Sequence, residues 1–139
     1  MRTLVAAHGY WIGYVVIASW LIVCVWGLVL RLRGAGETPV FWRAVSGAQV
    51  LLGLQLVAGL VLLTAWALGA GWVGPPADGT LFRGGFHVLY GGVFPVIVLV
   101  VGHRVAWRGR LNPHTAFALV GLVNFGLVAR ALQTGIMAG

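Results

Sequence analysis

The chain has few charged residues and almost no acidic ones. Of its 139 residues only 8% are charged, and Asp and Glu together number two, whereas 60% of the residues are hydrophobic. A protein surface of this composition is not solvated mainly by water, which excludes an ordinary water-soluble domain. The chain is therefore predicted to be an integral membrane protein, and one of its partners is the lipid bilayer.

Cysteine pairs and nucleotide-binding motifs are also missing from the sequence. The single cysteine, Cys24, lies inside a hydrophobic run and cannot form an intrachain disulfide. No motif typical of a nicotinamide or soluble-nucleotide site is present. The formal net charge of +7 is attributed to membrane topology and to attraction for anionic lipid headgroups, so no nucleic-acid partner is predicted.

Four long stretches contain no charged residue. They are residues 3–30, 44–77, 84–103 and 111–129. Each reaches or approaches the about 20 residues that a helix needs to span the hydrocarbon layer. We predict an all-α fold, an integral membrane up-and-down four-helix bundle that forms a single domain over residues 1–139. The predicted helices are 6–31, 41–68, 84–107 and 113–136.

The arginines orient this predicted bundle, because short loops rich in Arg or Lys tend to remain in the cytoplasm. Arg2 and Arg83 fall on one side. The other side has Arg31, Arg33, Arg43, Arg104, Arg108 and Arg110, which flank the first and third loops. Both termini are therefore predicted on the outer side, and the predicted location is a prokaryotic cell (inner) membrane.

Two histidines occupy equivalent positions near the starts of the first and third predicted helices. These helices run in the same direction and lie on a diagonal of the bundle, so His8 and His87 enter near the same membrane face. The number of residues from each histidine to the arginine at the inner end of its own helix differs between the two helices. At 1.5 Å per residue this places the histidines at depths that differ by roughly 9 Å, unless helix tilt compensates. Because neutral imidazoles are common ligands of heme iron, we predict that His8 and His87 are the axial ligands of one heme iron. The alternatives are an interhelical hydrogen bond for His87 and interfacial anchoring for His8.

Two glycines share a helical face with His87. Gly84 precedes it by three residues and Gly91 follows it by four. We predict that they leave room for the heme macrocycle. The alternative is that both glycines allow neighbouring helices to pack closely, as small residues often do in membranes.

Arg130 lies within the fourth predicted span, where an arginine costs about 2.5–3.5 kcal/mol and usually needs a partner. Its distance from Pro113, roughly 25 Å along the helix, places it near the level of the histidine pair. A heme propionate is its predicted partner, and Gln133, one turn further on, is predicted to donate to the same carboxylate. The alternative is that Arg130 extends to the lipid headgroups.

The remaining histidines, His103 and His114, flank the third loop at the opposite face. Eleven residues apart in a loop region, they match no compact spacing of metal ligands. We predict that they form a solvated or lipid-facing basic edge together with the loop arginines, and not a second metal site.

Three segments of the chain follow one another in an informative order. They are residues 7–10 (AHGY), 49–57 (QVLLGLQLV) and 86–89 (FHVL). In this order they resemble one four-helix half of the heme A synthase family, over about residues 5–105. In that family two pseudo-symmetric halves each hold heme between a histidine pair. The resemblance therefore also implies axial roles for His8 and His87.

The chain departs from the catalytic half of that family in two respects. That half has a glutamate shortly before its first histidine and, in many members, a cysteine pair in an outer loop. Here residues 2–7 contain no glutamate and Cys24 stands alone. The chain is more similar to the half that holds a resident heme b.

These features lead to one predicted function and two alternatives. The prediction is a heme b-binding, cytochrome-like membrane subunit with an electron-transfer or accessory role in a larger membrane redox complex. Its predicted protein partners are a second copy of the chain or other membrane subunits of that complex. The first alternative is a half-size, dimeric oxidoreductase similar to heme A synthase, in which two copies reproduce the two halves. The second is a structural membrane subunit without heme.

Overall fold

The computed structural model describes residues 7–36, 38–70 and 81–136. Every element of secondary structure within these ranges is helical. Four of the helices are long and apolar enough to cross a membrane. The predicted all-α fold with four membrane-spanning helices is confirmed, and the chain is a multi-pass membrane protein by this criterion.

The four helices are continuous, but two of them change their hydrogen-bonding pattern along their length. Helix α1 begins with the π-helical Ala7–Ile12 and continues as Gly13–Leu32; α2 is Pro39–Ala67; α3 comprises Leu81–Val88, the π-helical Leu89–Val93 and Phe94–Trp107; α4 is Pro113–Ile136. The predicted bounds of α1, α2 and α4 agree to within two residues. Helix α3 begins three residues before the predicted start at residue 84.

Proline and glycine explain where the helices begin and end. Pro39 and Pro113 are the first residues of α2 and α4, where the fixed φ of proline suits a helix and its missing N–H costs nothing. Gly34, Gly69 and Gly109 follow the ends of α1, α2 and α3 with φ of 61°, 73° and 63°. This left-handed conformation stops a helix and is readily adopted by glycine.

Each π-helical segment contains or closely follows one of the two predicted heme ligands. His8 is inside the first segment, and His87 lies two residues before the second. In α3 the segment precedes Pro95, which has no N–H, and Phe94 donates its N–H to the carbonyl of Leu89, five residues back. Such π-helical turns occur frequently at functional sites.

Helix α4 is central to the packing. It packs along both α1 and α3, while α2 packs against α1. Thus α1 and α3 lie on either side of α4, as the predicted diagonal requires. Glycines allow the closest approach: Gly27 of α1 contacts Ala118, and a Cβ added at Gly121 would lie 2.7 Å from the backbone nitrogen of Cys24. Such contacts between small residues are typical of helix pairs in membranes.

The interior and the surface of the bundle are both largely apolar; the buried polar residues of the described part are His114 and Asn124. The largest fully buried side chains are Trp20, Phe41, Leu52, Val16, Val23, Asn124 and Pro95. Large apolar side chains also cover the outward faces, including Trp11, Leu60 and Val100. An apolar exterior of this extent is the surface that a lipid environment stabilises.

Candidate functional site

The imidazole rings of His8 and His87 lie beside each other. Their centroids are 6.1 Å apart and their planes are inclined by 68°. Both side chains are half-buried. The prediction that the two histidines meet at one end of the bundle is confirmed, and the expected difference in depth does not keep them apart.

This spacing is compatible with two imidazoles that bind one metal ion from opposite sides. A ring nitrogen binds a transition metal at about 2.0 Å and lies about 1.1 Å from the ring centre, so the two centroids are about 6 Å apart. The inclination of 68° is compatible with this arrangement, because rotation about a metal–nitrogen bond turns a ring without moving its centre. Within the described ranges no three His, Cys, Asp or Glu side chains converge. The pair by itself supplies two of the four ligands of a structural zinc site.

The ring of His87 is held by the backbone of α4. Its Nδ1 lies 3.0 Å from the carbonyl oxygen of Ala131. A carbonyl oxygen only accepts, so Nδ1 carries the proton and donates, which leaves a lone pair on Nε2. Histidines that bind metals commonly donate their other N–H to a carbonyl in this way. His87 thus has the tautomer that a ligand requires.

The ring of His8 is positioned from α2. The Nε2 of Gln55 donates a 3.0 Å hydrogen bond to the backbone oxygen of His8. One turn further along α2, a Cβ added at Gly59 would lie 3.0 Å from Cε1 of the ring. The buried Nδ1 of His8 has no hydrogen-bond partner among the described residues. The ring therefore occupies a space that requires glycine at position 59. Its Nδ1 atom remains without a hydrogen bond among the described residues.

The two glycines predicted to make room for a macrocycle have different outcomes. A Cβ added at Gly91 would lie 3.3 Å from Cβ of Ala131, so α4 fills the space beside Gly91. The packing alternative describes this glycine. The side-chain surroundings of Gly84 lie outside the described part of α3, and its role stays a prediction.

Arg130 directly precedes Ala131, the residue whose carbonyl accepts the hydrogen bond from His87, so Arg130 lies at the level of the pair as predicted. Its side chain is exposed, and Nη1 donates a 3.3 Å hydrogen bond to Oε1 of Gln133. The two acidic residues of the chain, Glu37 and Asp78, lie outside the described residues. The predicted binding of a propionate by Arg130 and Gln133 stays a prediction. The two side chains are already hydrogen-bonded to each other.

The prediction of a solvated edge is wrong for His114. Its side chain is 5% exposed and stacks on Trp42 with a centroid distance of 6.0 Å and an interplanar angle of 17°. Phe41 meets it edge-on at 5.2 Å. The reason is the close approach of α1 and α4: a Cβ added at Gly27 would lie 3.0 Å from the carbonyl oxygen of His114. The His114 side chain therefore lies inside the bundle, whereas Pro113 is exposed and Thr115 is half-buried.

His103 is exposed, as predicted. Its ring contacts Phe117 of α4 with a centroid distance of 4.9 Å. Its Nε2 lies 3.5 Å from Nε2 of Gln49, at the limit of hydrogen bonding. At this end of the bundle each histidine contacts phenylalanine or tryptophan rings.

Sequence reasoning missed the roles of Gly59 and of the Ala131 carbonyl. A backbone carbonyl has no sequence signature, and Gly59 is one of 22 glycines in the chain. A weak signal existed for Gly59, because it follows Gln55 by four residues and therefore shares its helical face. The π-helical segments had no signal beyond Pro95.

Comparison of the chain with protein-family models, with curated proteins and with solved structures gave no match. The resemblance to heme A synthase therefore stays a prediction carried by the three sequence segments, and the function is argued from the geometry of the pair.

Proposed function

We propose that the chain is a heme b-binding, cytochrome-like membrane subunit in which His8 and His87 are the axial ligands. The observation that carries this proposal is the 6.1 Å separation of the two ring centroids. Heme b, when bound, supplies an iron that gains and loses one electron. The chain contributes the ligands, their orientation and an apolar environment.

The residues around the pair are suited to holding two ligands in place. The Ala131 carbonyl fixes the tautomer of His87, and its hydrogen bond makes Nε2 a more basic metal ligand. Gln55 ties the backbone of His8 to α2, and Gly59 leaves space for the imidazole ring. Were heme b bound, these contacts would hold both imidazoles in place beside it, which suits an electron-transfer role.

Electron transfer is favoured over oxidation of a heme methyl group by the residues before His8. Residues 2–7 contain no glutamate, and the lone Cys24 offers no cysteine pair. Among the described residues, the groups that hydrogen-bond to the pair are the Gln55 amide and the Ala131 carbonyl, which orient ligands but do not exchange protons near neutral pH. We therefore place the half-size oxidoreductase behind the cytochrome-like subunit.

A cytochrome-like subunit needs a redox partner at the level of its heme. Exposed aromatic side chains follow His8 on α1: Tyr10, Trp11 and Tyr14 are 53%, 76% and 56% exposed. Such residues concentrate at the membrane–water interface. They support a location of the pair near one membrane face, where a second copy of the chain or another subunit of a redox complex approaches it.

The test is a reduced-minus-oxidised absorbance spectrum of the full chain purified from heme-replete cells. We expect a low-spin heme b signal that falls below roughly one tenth in His8→Ala and in His87→Ala, because each variant lacks an axial ligand. His103→Ala is the matched control, since it removes an exposed imidazole at the other end, and it should keep the signal.

Each other outcome has a defined meaning. A preparation without heme overturns the proposal and favours the structural subunit. Heme retained in both ligand variants shows that other residues hold it. Conversion of a farnesylated heme precursor by the purified chain would instead favour the dimeric oxidoreductase.

A further inference from the structure

We propose that a groove at the arginine end of the bundle binds the phosphate headgroup of an anionic phospholipid. The arginine end is the end at which α1 and α3 terminate and α2 and α4 begin. The groove is lined by Arg31, Leu32, Arg110, Leu111, Asn112 and Thr115. It lies at the opposite end from the histidine pair and does not depend on heme binding.

Two positive charges meet in this groove from distant parts of the sequence. Arg31 belongs to the last turn of α1, and Arg110 lies in the connection before α4. Both side chains are exposed, and the described residues include no Asp or Glu to neutralise them. Guanidinium groups present paired N–H donors that match the oxygens of a phosphate. An anion between them relieves their mutual repulsion.

The uncharged polar groups of the groove are also donors. The backbone N–H of His114 donates a 3.0 Å hydrogen bond to Oδ1 of Asn112, which caps the N-terminus of α4. That oxygen accepts this hydrogen bond, and the amide NH₂ of Asn112 can donate as well. Thr115 adds a hydroxyl group that can also donate. The set of available groups therefore selects for an acceptor-rich anion.

The apolar residues of the groove favour a lipid over free phosphate. Leu32 is 78% exposed and Leu111 is 40% exposed, and both line the groove beside the arginines. Leu32 is the last residue of α1, so the groove lies where a membrane span ends. A phospholipid offers its phosphate to the arginines and its acyl chains to the leucines, whereas inorganic phosphate uses only the first contact. Basic pockets between membrane helices bind anionic headgroups in this way.

The experiment is native mass spectrometry of the full chain in mild detergent, titrated with phosphatidylglycerol. The double variant Arg31→Gln/Arg110→Gln removes both groove cations. We expect it to bind the lipid roughly 30-fold more weakly, since two charge-assisted interactions are lost. Its matched control is Arg33→Gln/Arg108→Gln, which loses the same charge two residues from each groove arginine, at positions that do not line the groove, and should change affinity less than about 3-fold.

Three results would overturn the proposal. Equal weakening in the two double variants shows attraction to the overall positive charge and no defined site. Equal affinity for phosphatidylcholine removes the requirement for an anionic lipid. Displacement of the lipid by millimolar inorganic phosphate shows a site for free phosphate. If the double variant does not accumulate, Arg31→Gln and Arg110→Gln are tested singly, each with an expected loss of roughly 5-fold.

Discussion

The two ends of the bundle each contain two histidines with different surroundings. At one end His8 and His87 face each other at 6.1 Å. At the arginine end His103 contacts Phe117, and His114 is buried against tryptophan and phenylalanine rings. The first pair comes from α1 and α3, which start at the same end; the second comes from the two sides of one connection.

The difference teaches that the surroundings of each imidazole decide its role. His87 has one nitrogen bound to a carbonyl and the other without a hydrogen bond among the described residues, which is the arrangement of a ligand. His114 is buried deeper, yet its Nε2 has no partner among the described residues. Its flat ring fills the space beside Trp42, so it behaves as a core aromatic residue.

The largest expected effect is a loss of stability when α1 and α4 are forced apart. Helix α4 contacts the histidines at both ends, since it contains Ala131 and His114. In Gly121→Val the added Cβ would lie 2.7 Å from a backbone nitrogen, which cannot move aside as a side chain can. We expect the free energy of unfolding to fall by about 3 kcal/mol, measured by SDS titration with circular dichroism. Gly126→Val is the control on the same helix, since nothing lies within 4 Å of its added Cβ. Equal stability of the two variants would contradict the α1–α4 contact.

The membrane spans and the level of the histidine pair could be predicted from the sequence. Charge-free runs mark the spans, because charge is costly in hydrocarbon. The parallel direction of α1 and α3 then brings His8 and His87 to one end, and the helix rise brings Arg130 to the same level.

The rotation of each helix about its axis could not be predicted. In a water-soluble bundle a polar face shows which side points outward, but here both the lipid-facing and the interior faces are apolar. For this reason the hydrophobic periodicity did not show the burial of His114, and the contact of Gly59 with His8 had only the weak signal of its spacing from Gln55. The close approach at Gly121 was likewise one of many possible glycine contacts.

The second prediction acts at the histidine pair alone. Gly59→Val places a methyl-bearing carbon against the ring of His8, where a Cβ already lies 3.0 Å from Cε1. The ring must move, and under the proposed function we expect the affinity for heme to fall roughly 10-fold, the equivalent of about 1.4 kcal/mol, and the heme-to-protein ratio to fall with it. The ratio is measured by pyridine hemochrome absorbance against protein concentration.

Gly53→Val on the same helix is the control, because its added Cβ meets nothing within 4 Å. The control should keep its heme, and both variants should unfold at similar SDS concentrations. Full heme content in Gly59→Val would show that the position of the His8 ring does not determine binding.

The smallest effect is expected from His114→Phe, which tests whether this buried histidine is a core aromatic residue. The substitution keeps a flat ring against Trp42 and removes a buried nitrogen that lacks a partner. The hydrogen bond to Asn112 survives, because it uses the backbone N–H of residue 114. Removal of an unsatisfied polar atom is favourable and the larger ring is unfavourable, so stability should change by less than about 1 kcal/mol. The heme spectrum should not change, whereas His87→Phe should abolish it. A large loss of stability in His114→Phe would show instead that Nε2 of His114 has a bonding partner. The histidines at both ends of the bundle would then use a ring nitrogen to bind a partner.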